Sequence, residues 1–319
     1  MAAAEVGDEQ RRLDPTTRAL EERVAELLGF PAAVFLPSGT MCNEIALRLH
    51  ARPGGDELIC DRTAHLVNSE AGGPAQISGL MTRVLDGVGG VFTGTQLEEA
   101  VRPFGNRYMP RSRVVSVEQT SNLGGGRVWP LPVVRDVLSV ARRFGLRTHM
   151  DGARLMNAVV ASGVSASSFA GGFDTAWLDF TKGLGAPVGA VLCGSRELID
   201  EAWRWKQTLG GAFRQSGIVA AGCVYALDHN VERLAEDHAH AQLLARGLAS
   251  LPGVRLDPGD VETNIVIFSV DDAPGLVQRL ADRVELQAFG AHRVRAVTHL
   301  DLTRADVEQA LEAFAEALA

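Results

Sequence analysis

The chain has 319 residues, a net charge of −8 at neutral pH and a pI near 5.5. That balance argues against a nucleic-acid or anionic-membrane partner, and 46% apolar residues at this length suffice for one large core or two smaller ones. The four cysteines, Cys42, Cys60, Cys193 and Cys223, are widely spaced in apolar contexts, with no metal-ligand pattern, which points to buried thiols in a reducing compartment. No apolar run reaches the ~18–20 residues of a membrane span and no basic-then-apolar leader opens the chain, so a soluble cytoplasmic protein is expected.

Residues 1–16 carry little apolar pattern and read as an irregular arm. Leu20, Val24, Leu27 and Leu28 recur at helical spacing and predict an amphipathic helix over 17–28. A short apolar run at 32–36 leads into Pro37, Ser38, Gly39 and Thr40, then a helix to about residue 49. A strand, a glycine turn and a helix start form an anion site, because the helix N-terminus offers free N–H groups and about half a positive charge. An ordinary Ser/Thr cap accounts for the same residues. Residues 57–60 read as a strand entering a polar stretch, 61–73, that holds His65 and Glu70. A strand at 113–117 ends in Glu118, Gln119, Thr120, Ser121 and Asn122. A helix over 132–144, a strand over 146–150 running into Asp151, and a helix over 153–161 follow.

The next stretch, 173–193, holds one of only two lysines in the chain, Lys182 and Lys206. An amine forms a Schiff base and a guanidinium does not, so a lysine in an arginine-rich chain is informative. Lys182 follows the apolar run 173–180 and precedes Gly183, Gly185, Pro187, Gly189 and a second apolar run, 188–192. That position predicts partial desolvation, which favours the neutral amine. A surface lysine in a turn is the competing reading. Beyond it, 195–227 reads as helix interrupted at 206–217, and a long helix spans about 231–251. The tail reads as strand (261–270), helix (273–283), strands (284–287 and 293–297) and helix (303–318).

Short apolar runs alternating with helices predict an α/β fold, a mostly parallel sheet covered on both faces, with a smaller α+β unit at the C-terminus. The expected division is an arm at 1–16, a large unit at 17–240 and a small unit at 241–319. Ligands of such sheets gather at strand carboxyl ends, where four polar clusters fall: 37–40, 118–122, 151–154 and 181–182. A lysine, an aspartate at a neighbouring strand end and a helix N-terminus are together what pyridoxal phosphate requires: an amine for its aldehyde, a carboxylate for its ring nitrogen and a cradle for its phosphate.

The segments FLPSGTMCN, HLVNSEAGG, EQTSNLGGGRVWPL, THMDGARLMNA, KGLGAPVGAVLCGS, LGGAFRQSG and RVRAVTHLD occur in that order and together resemble the low-specificity L-threonine aldolases, pyridoxal-phosphate lyases of fold type I. The resemblance runs from about Glu5 to the end. It implies Lys182 as the Schiff-base lysine, Asp151 as partner of the ring nitrogen, His65 stacked on the ring and serving as base, and Ser38, Gly39 and Thr40 at the phosphate with Lys206 or Arg214. It implies Arg154 and Arg295 at the substrate carboxylate, Glu70 and Ser121 near the substrate, no metal, and a homotetramer with active sites at a dimer interface. The implied reaction is cleavage of L-threonine, L-allo-threonine or a related β-hydroxy-α-amino acid to glycine and an aldehyde.

Two departures bear on this. Ser121 stands where many family members have histidine, which opens phenylserine-type substrates, and the chain starts beyond the family's usual SDTVT-like arm. Another fold-type-I lyase, by β-elimination or hydroxymethyl transfer, and a cofactor-binding protein of little activity remain alternatives.

Overall fold

A computed structural model describes residues 1–52 and 54–319. Helix α1 (Pro15–Leu28) starts where Asp14 Oδ1 accepts the Thr17 N–H at 2.9 Å and stops at Gly29, whose φ of +77° suits glycine. The apolar strand β1 (Ala32–Leu36) follows, then α2 (Gly39–His50), capped by Ser38. Strand β2 (Asp56–Asp61) runs into two single-turn helices, α3 (His65–Asn68) and α4 (Gly73–Gln76), then β3 (Met81–Leu85) and α5 (Gly94–Ala100). Strand β4 (Arg111–Glu118), helix α6 (Leu131–Arg143), strand β5 (Arg147–Asp151), helices α7 (Leu155–Ser162) and α8 (Ala166–Ala170), and strands β6 (Thr175–Asp179) and β7 (Ala190–Gly194) complete the large sheet. Helices α9 (Arg196–Thr208), α10 (Gly217–His229) and α11 (Leu234–Ala249) lead to β8 (Ile265–Ser269), α12 (Ala273–Leu280), β9 (Gln287–Phe289), β10 (Arg293–Val297) and α13 (Arg304–Leu318).

The large sheet has the order β1-β7-β6-β5-β4-β2-β3. Strands β3, β2, β4, β5 and β6 are parallel neighbours, whereas β7 is antiparallel to both β6 and β1. Two reversals bring β1 back into the sense of β6, so the carboxyl ends of β1, β2, β4, β5 and β6 open on one edge. Alternating side chains divide between two apolar layers, as the pleat requires. Phe35, Ala176 and Leu178 face the layer of α1, α6, α8 and α10, while Val34, Leu36 and Trp177 face α2 and α9. This is the three-layer arrangement expected from the alternation of apolar runs.

The C-terminal strands form an antiparallel sheet in the order β8-β10-β9 under α11, α12 and α13. Leu234 packs with the first apolar layer, whereas Ala241, Leu244, Ala245 and Leu248 pack with the C-terminal sheet, so the change of core falls inside α11. The strand expected at 284–287 is shifted to Gln287–Phe289 because Val284 and Leu286 pack outside the ladder. The N-terminal arm is not loose. A 3-10 turn at Glu9–Arg11 buries the Glu9 side chain against α9. Among the described residues no helix is long and apolar enough to cross a membrane, and all four cysteines are buried and free.

Candidate active site

At the common strand edge lies a cavity of about 260 Å³ lined by Ser38, Gly39 and Thr40 from the start of α2, His65 from α3, Asp151 at the end of β5, Arg154 just beyond it, and Lys182 after β6. Seven of the residues singled out in the sequence therefore meet in one place. Local backbone rules explain the convergence. A Cβ on Gly39 would lie 2.2 Å from the buried Trp177 ring, so only glycine lets the first turn of α2 approach β6. A Cβ on Gly152 would lie 1.7 Å from the Trp177 carbonyl, which fixes the turn that presents Asp151. Ser38 Oγ accepts the Met41 N–H at 3.2 Å, so its hydroxyl caps α2 while the residue lines the cavity.

Lys182 Nζ lies 3.3 Å from Asp179 Oδ2 and 5.7 Å from the centre of the Trp177 ring. Asp151 is 2% exposed; Oδ1 accepts the Ala153 N–H at 3.0 Å and Oδ2 accepts Asn43 Nδ2–H at 2.8 Å. Burial pushes its carboxyl up, and the Asn43 amide and the Lys182 charge pull it back. His65 Nδ1 pairs with Glu70 Oε1 at 2.7 Å, which raises the imidazole above its usual value and leaves Nε2 for the cavity. Glu118 accepts the N–H groups of His65 at 2.6 Å and Asn122 at 2.7 Å; burial, then Asp151, push it up to about 7.

Asn43 ties these groups together. Its two N–H bonds go to Asp151 and, at 2.7 Å, to Glu70 Oε1, while Oδ1 accepts from Trp177 Nε1–H at 2.7 Å and from His149 Nε2 at 3.0 Å. An indole only donates, so the amide orientation is fixed and His149 carries its proton on Nε2. His149 Nδ1 then accepts from Thr175 Oγ1 at 2.9 Å, and Thr175 accepts from His50 Nε2 at 2.8 Å. Burial holds both imidazoles neutral, at about 3 for His149 and about 4 for His50.

Arg154 is buried, and among the described residues its Nε and that of Arg295 have no hydrogen-bond partner. Burial lowers both guanidiniums; repulsion from Arg154 helps bring Arg295 down to about 10. Two desolvated cations facing each other call for an anion.

Five expected site residues do not line the cavity. Lys206 is 0% exposed, bonded to Glu9 Oε1 at 2.5 Å and covered by the Trp203 ring at 4.3 Å, so it cannot reach a phosphate. Arg214 lies 3.6 Å from Asp8 with a side chain 68% exposed, away from this chain's cavity. Glu70 stands behind His65, not beside a substrate. Ser121 is 2% exposed, with its hydroxyl 3.3 Å from Thr63 Oγ1, and the next residue, Asn122, lines the cavity in its place. Arg295 does not line the cavity but lies near enough to Arg154 for the two charges to repel. Asn43, Glu118, Trp177 and Asp179 line the cavity without having been singled out as site residues. Asp179 had a signal, a lone charge closing a buried run three residues before Lys182. Asn43 had none.

The profile of the family described as "Beta-eliminating lyase" matches residues 1–272. The chain belongs to the beta-eliminating lyase family. This lyase is 36% identical over 326 residues to "Low-specificity L-threonine aldolase 1" of Arabidopsis thaliana, covering 100% of this chain and 91% of that protein, so the resemblance to low-specificity L-threonine aldolases holds along its whole length. Its fold is shared with a putative L-allo-threonine aldolase from Listeria monocytogenes (TM-score 0.83, 22% identity, 100% of this lyase and 90% of that chain). It is shared also with a serine palmitoyltransferase from S. paucimobilis with bound PLP (TM-score 0.74, 18% identity, 98% and 79%). The expected fold class thus stands.

Proposed function

We propose that the chain is a pyridoxal-phosphate-dependent aldolase that cleaves L-threonine, L-allo-threonine or a related β-hydroxy-α-amino acid to glycine and an aldehyde. The observation that carries this is one cavity shared by the Lys182 amine, the Asp151 carboxylate and the N-terminal turn of α2. The residues present suit the cofactor. The unpartnered Nε atoms of Arg154 and Arg295 await an anion, and Asp151, raised by burial, gains from a cationic ring nitrogen. When bound, pyridoxal phosphate supplies a carbonyl for the Lys182 amine and a ring that accepts electrons from the substrate Cα.

In this reading Lys182 anchors the cofactor and Asp151 fixes the charge of its ring. Gly39 and Thr40 offer N–H groups to the phosphate, and Arg154 with Arg295 holds the substrate carboxylate. His65 packs on the ring, and its Nε2 takes the β-hydroxyl proton as the Cα–Cβ bond breaks. Residues 17–240 hold the cofactor and 241–319 bring Arg295, a division supported by the change of core within α11. A homotetramer with sites at a dimer interface fits the exposed Ile218 and Tyr225, and Arg214 is exposed enough to serve a neighbouring subunit's phosphate. A cytoplasmic setting fits four free, buried thiols.

The test is optical and enzymatic. The purified protein with pyridoxal phosphate should show a near-violet absorption band that borohydride bleaches and Lys182→Ala abolishes. It should release glycine from threonine, allo-threonine or phenylserine without added folate. A band that persists in Lys182→Ala, or a fully loaded protein that releases no glycine from any of the three, refutes the proposal.

A further inference from the structure

The reaction above leaves one buried carboxyl beside the site without a task. Glu44, the residue after Asn43 on α2, is 3% exposed, and among the described residues neither of its oxygens has a hydrogen-bond partner. Its neighbour is Glu70, whose Oε1 is used twice, by His65 Nδ1 and by Asn43 Nδ2, each at 2.7 Å, and whose Oε2 has no partner. Glu44 is confined there, since a Cβ on Gly73, at the start of α4, would lie 2.0 Å from Glu44 Oε1. Three unpartnered carboxylate oxygens in one buried pocket are not compatible with two full negative charges, because donors reach only Glu70 Oε1 and a charge on Glu44 would be desolvated with nothing to offset it. One proton held between the two carboxyls removes both the second charge and the missing hydrogen bond.

We infer that Glu44 and Glu70 share a single proton and that its position sets the basicity of His65, which makes Glu44 a positioning residue for the proton step. The proton-sharing half does not depend on the reaction; the catalytic half rests on the function proposed above. With the proton on Glu44, Glu70 is the charged acceptor behind His65 Nδ1–H and His65 is the stronger base. With the proton on Glu70 Oε2, that acceptor is neutral and His65 is the weaker base. The pair carries one negative charge in either arrangement, so the β-hydroxyl proton passes to His65 Nε2 with no further donor or acceptor. Burial, with the Glu70 charge added to it, pushes Glu44 up to about 8, in keeping with a carboxyl that holds its proton at neutral pH.

The other ionisable groups around α2 are engaged elsewhere. Asp151 and His149 of β5 are bonded to Asn43, and Glu118 of β4 to the His65 and Asn122 N–H groups. Asp179, closing β6, is paired with Lys182, and Lys206 of α9 with Glu9.

The test compares the full-length protein with Glu44→Gln and Glu70→Gln by NMR titration of the His65 ring, assigned with His65→Gln, and by infrared spectroscopy. Beyond the carboxyls of Glu118 and Glu21, which burial also raises to about 7, the parent should show a protonated-carboxyl carbonyl band at neutral pH that fades near pH 8, and a second inflection of the His65 signal over the same interval. In Glu44→Gln the amide donates permanently to Glu70 Oε2, so the band and the second inflection disappear and the basic limb of the kcat profile flattens with KM unchanged. In Glu70→Gln the band also disappears, and His65 titrates below its parent value. A parent without the band, or folded variants that keep both the band and the parent His65 curve, overturns the inference. Neither spectroscopic readout requires turnover. A protein that passes them yet releases no glycine refutes the aldolase reading and leaves the shared proton standing.

Discussion

Replacing Glu9 by alanine strands the Lys206 ammonium. Lys206 is 0% exposed, and what remains against its ammonium is the faces of Trp203 at 4.3 Å and Phe35 at 5.8 Å, with the Glu21 carboxyl acting on it by charge but without a hydrogen bond. The Phe213 N–H, which Glu9 Oε2 accepts at 2.7 Å, loses its partner as well. Removing one member of a buried ion pair costs ~3–5 kcal/mol, and an unmade buried hydrogen bond adds ~1–3 kcal/mol. Against a total stability of ~5–15 kcal/mol, Glu9→Ala is expected to leave the protein close to unfolding. Glu9→Gln with Lys206→Met removes both charges and keeps an acceptor for the Phe213 N–H, so it should recover most of that loss. Urea denaturation of the two singles and the double supplies the coupling energy. Pyridoxal-phosphate titration of the double variant separates a structural lysine from a phosphate ligand. Additive costs in the cycle, or a stable double variant that no longer holds the cofactor, would refute this account of Lys206.

The other predictions concern the cavity and its titrating neighbours. Gly39→Ala forces the buried Trp177 ring off Asn43; overpacking costs ~1–3 kcal/mol, and cofactor affinity should fall with the melting temperature, both measurable on one sample. Arg295→Met relieves the repulsion from Arg154, so the melting temperature should hold or rise while KM for the amino acid increases; a lower melting temperature with KM unchanged contradicts the anion-site reading. His50 and His149 stay neutral when folded. As pH falls below 6.5, toward about 4 and about 3, the unfolded chain binds protons that the native state refuses, and stability should drop with falling pH. His149→Gln should flatten that slope in denaturation midpoints measured across the acid range. Glu44 acts in the opposite sense. Between 4.5 and about 8 the native state holds a proton that the unfolded chain has released, so stability should decline as pH rises, less steeply in Glu44→Gln.

The sequence carried the sheet wherever burial erased the polar residues. The runs around Val34, Met150, Trp177 and Val191 read as strands because both faces of the sheet are covered. Strand β3 gave no such signal, since Met81 and Thr82 are exposed on the sheet edge. Helices α3 and α4 are single turns of four residues, too short for any period to appear. Lys182 and Asp151 were legible because each is a charge at or within three residues of the carboxyl end of a buried strand, on the ligand edge. Lys206 misled because its rarity suggested chemistry, while the carboxylate that neutralises it lies 197 residues away in the chain. Ser121 was placed by motif position, but position does not say which way a side chain turns. Asn43 and Glu44 sit inside a helix with an ordinary pattern, and their roles arise only from partners on β5, β6 and the loop before α4.

The Asn43 amide has no spare valence: both hydrogens and both lone pairs are spoken for. Its plane therefore gears the two halves of the site to one another. A tilt that suits the Asp151 carboxylate is transmitted to the Glu70 carboxylate behind the imidazole, and to the indole and the histidine relay on the other edge of the amide. Variants at Asp151 and at Glu70 should for that reason depart from additivity although the two carboxylates share no direct hydrogen bond. An engineer who retunes one side of this lyase will have to re-set the other in the same step.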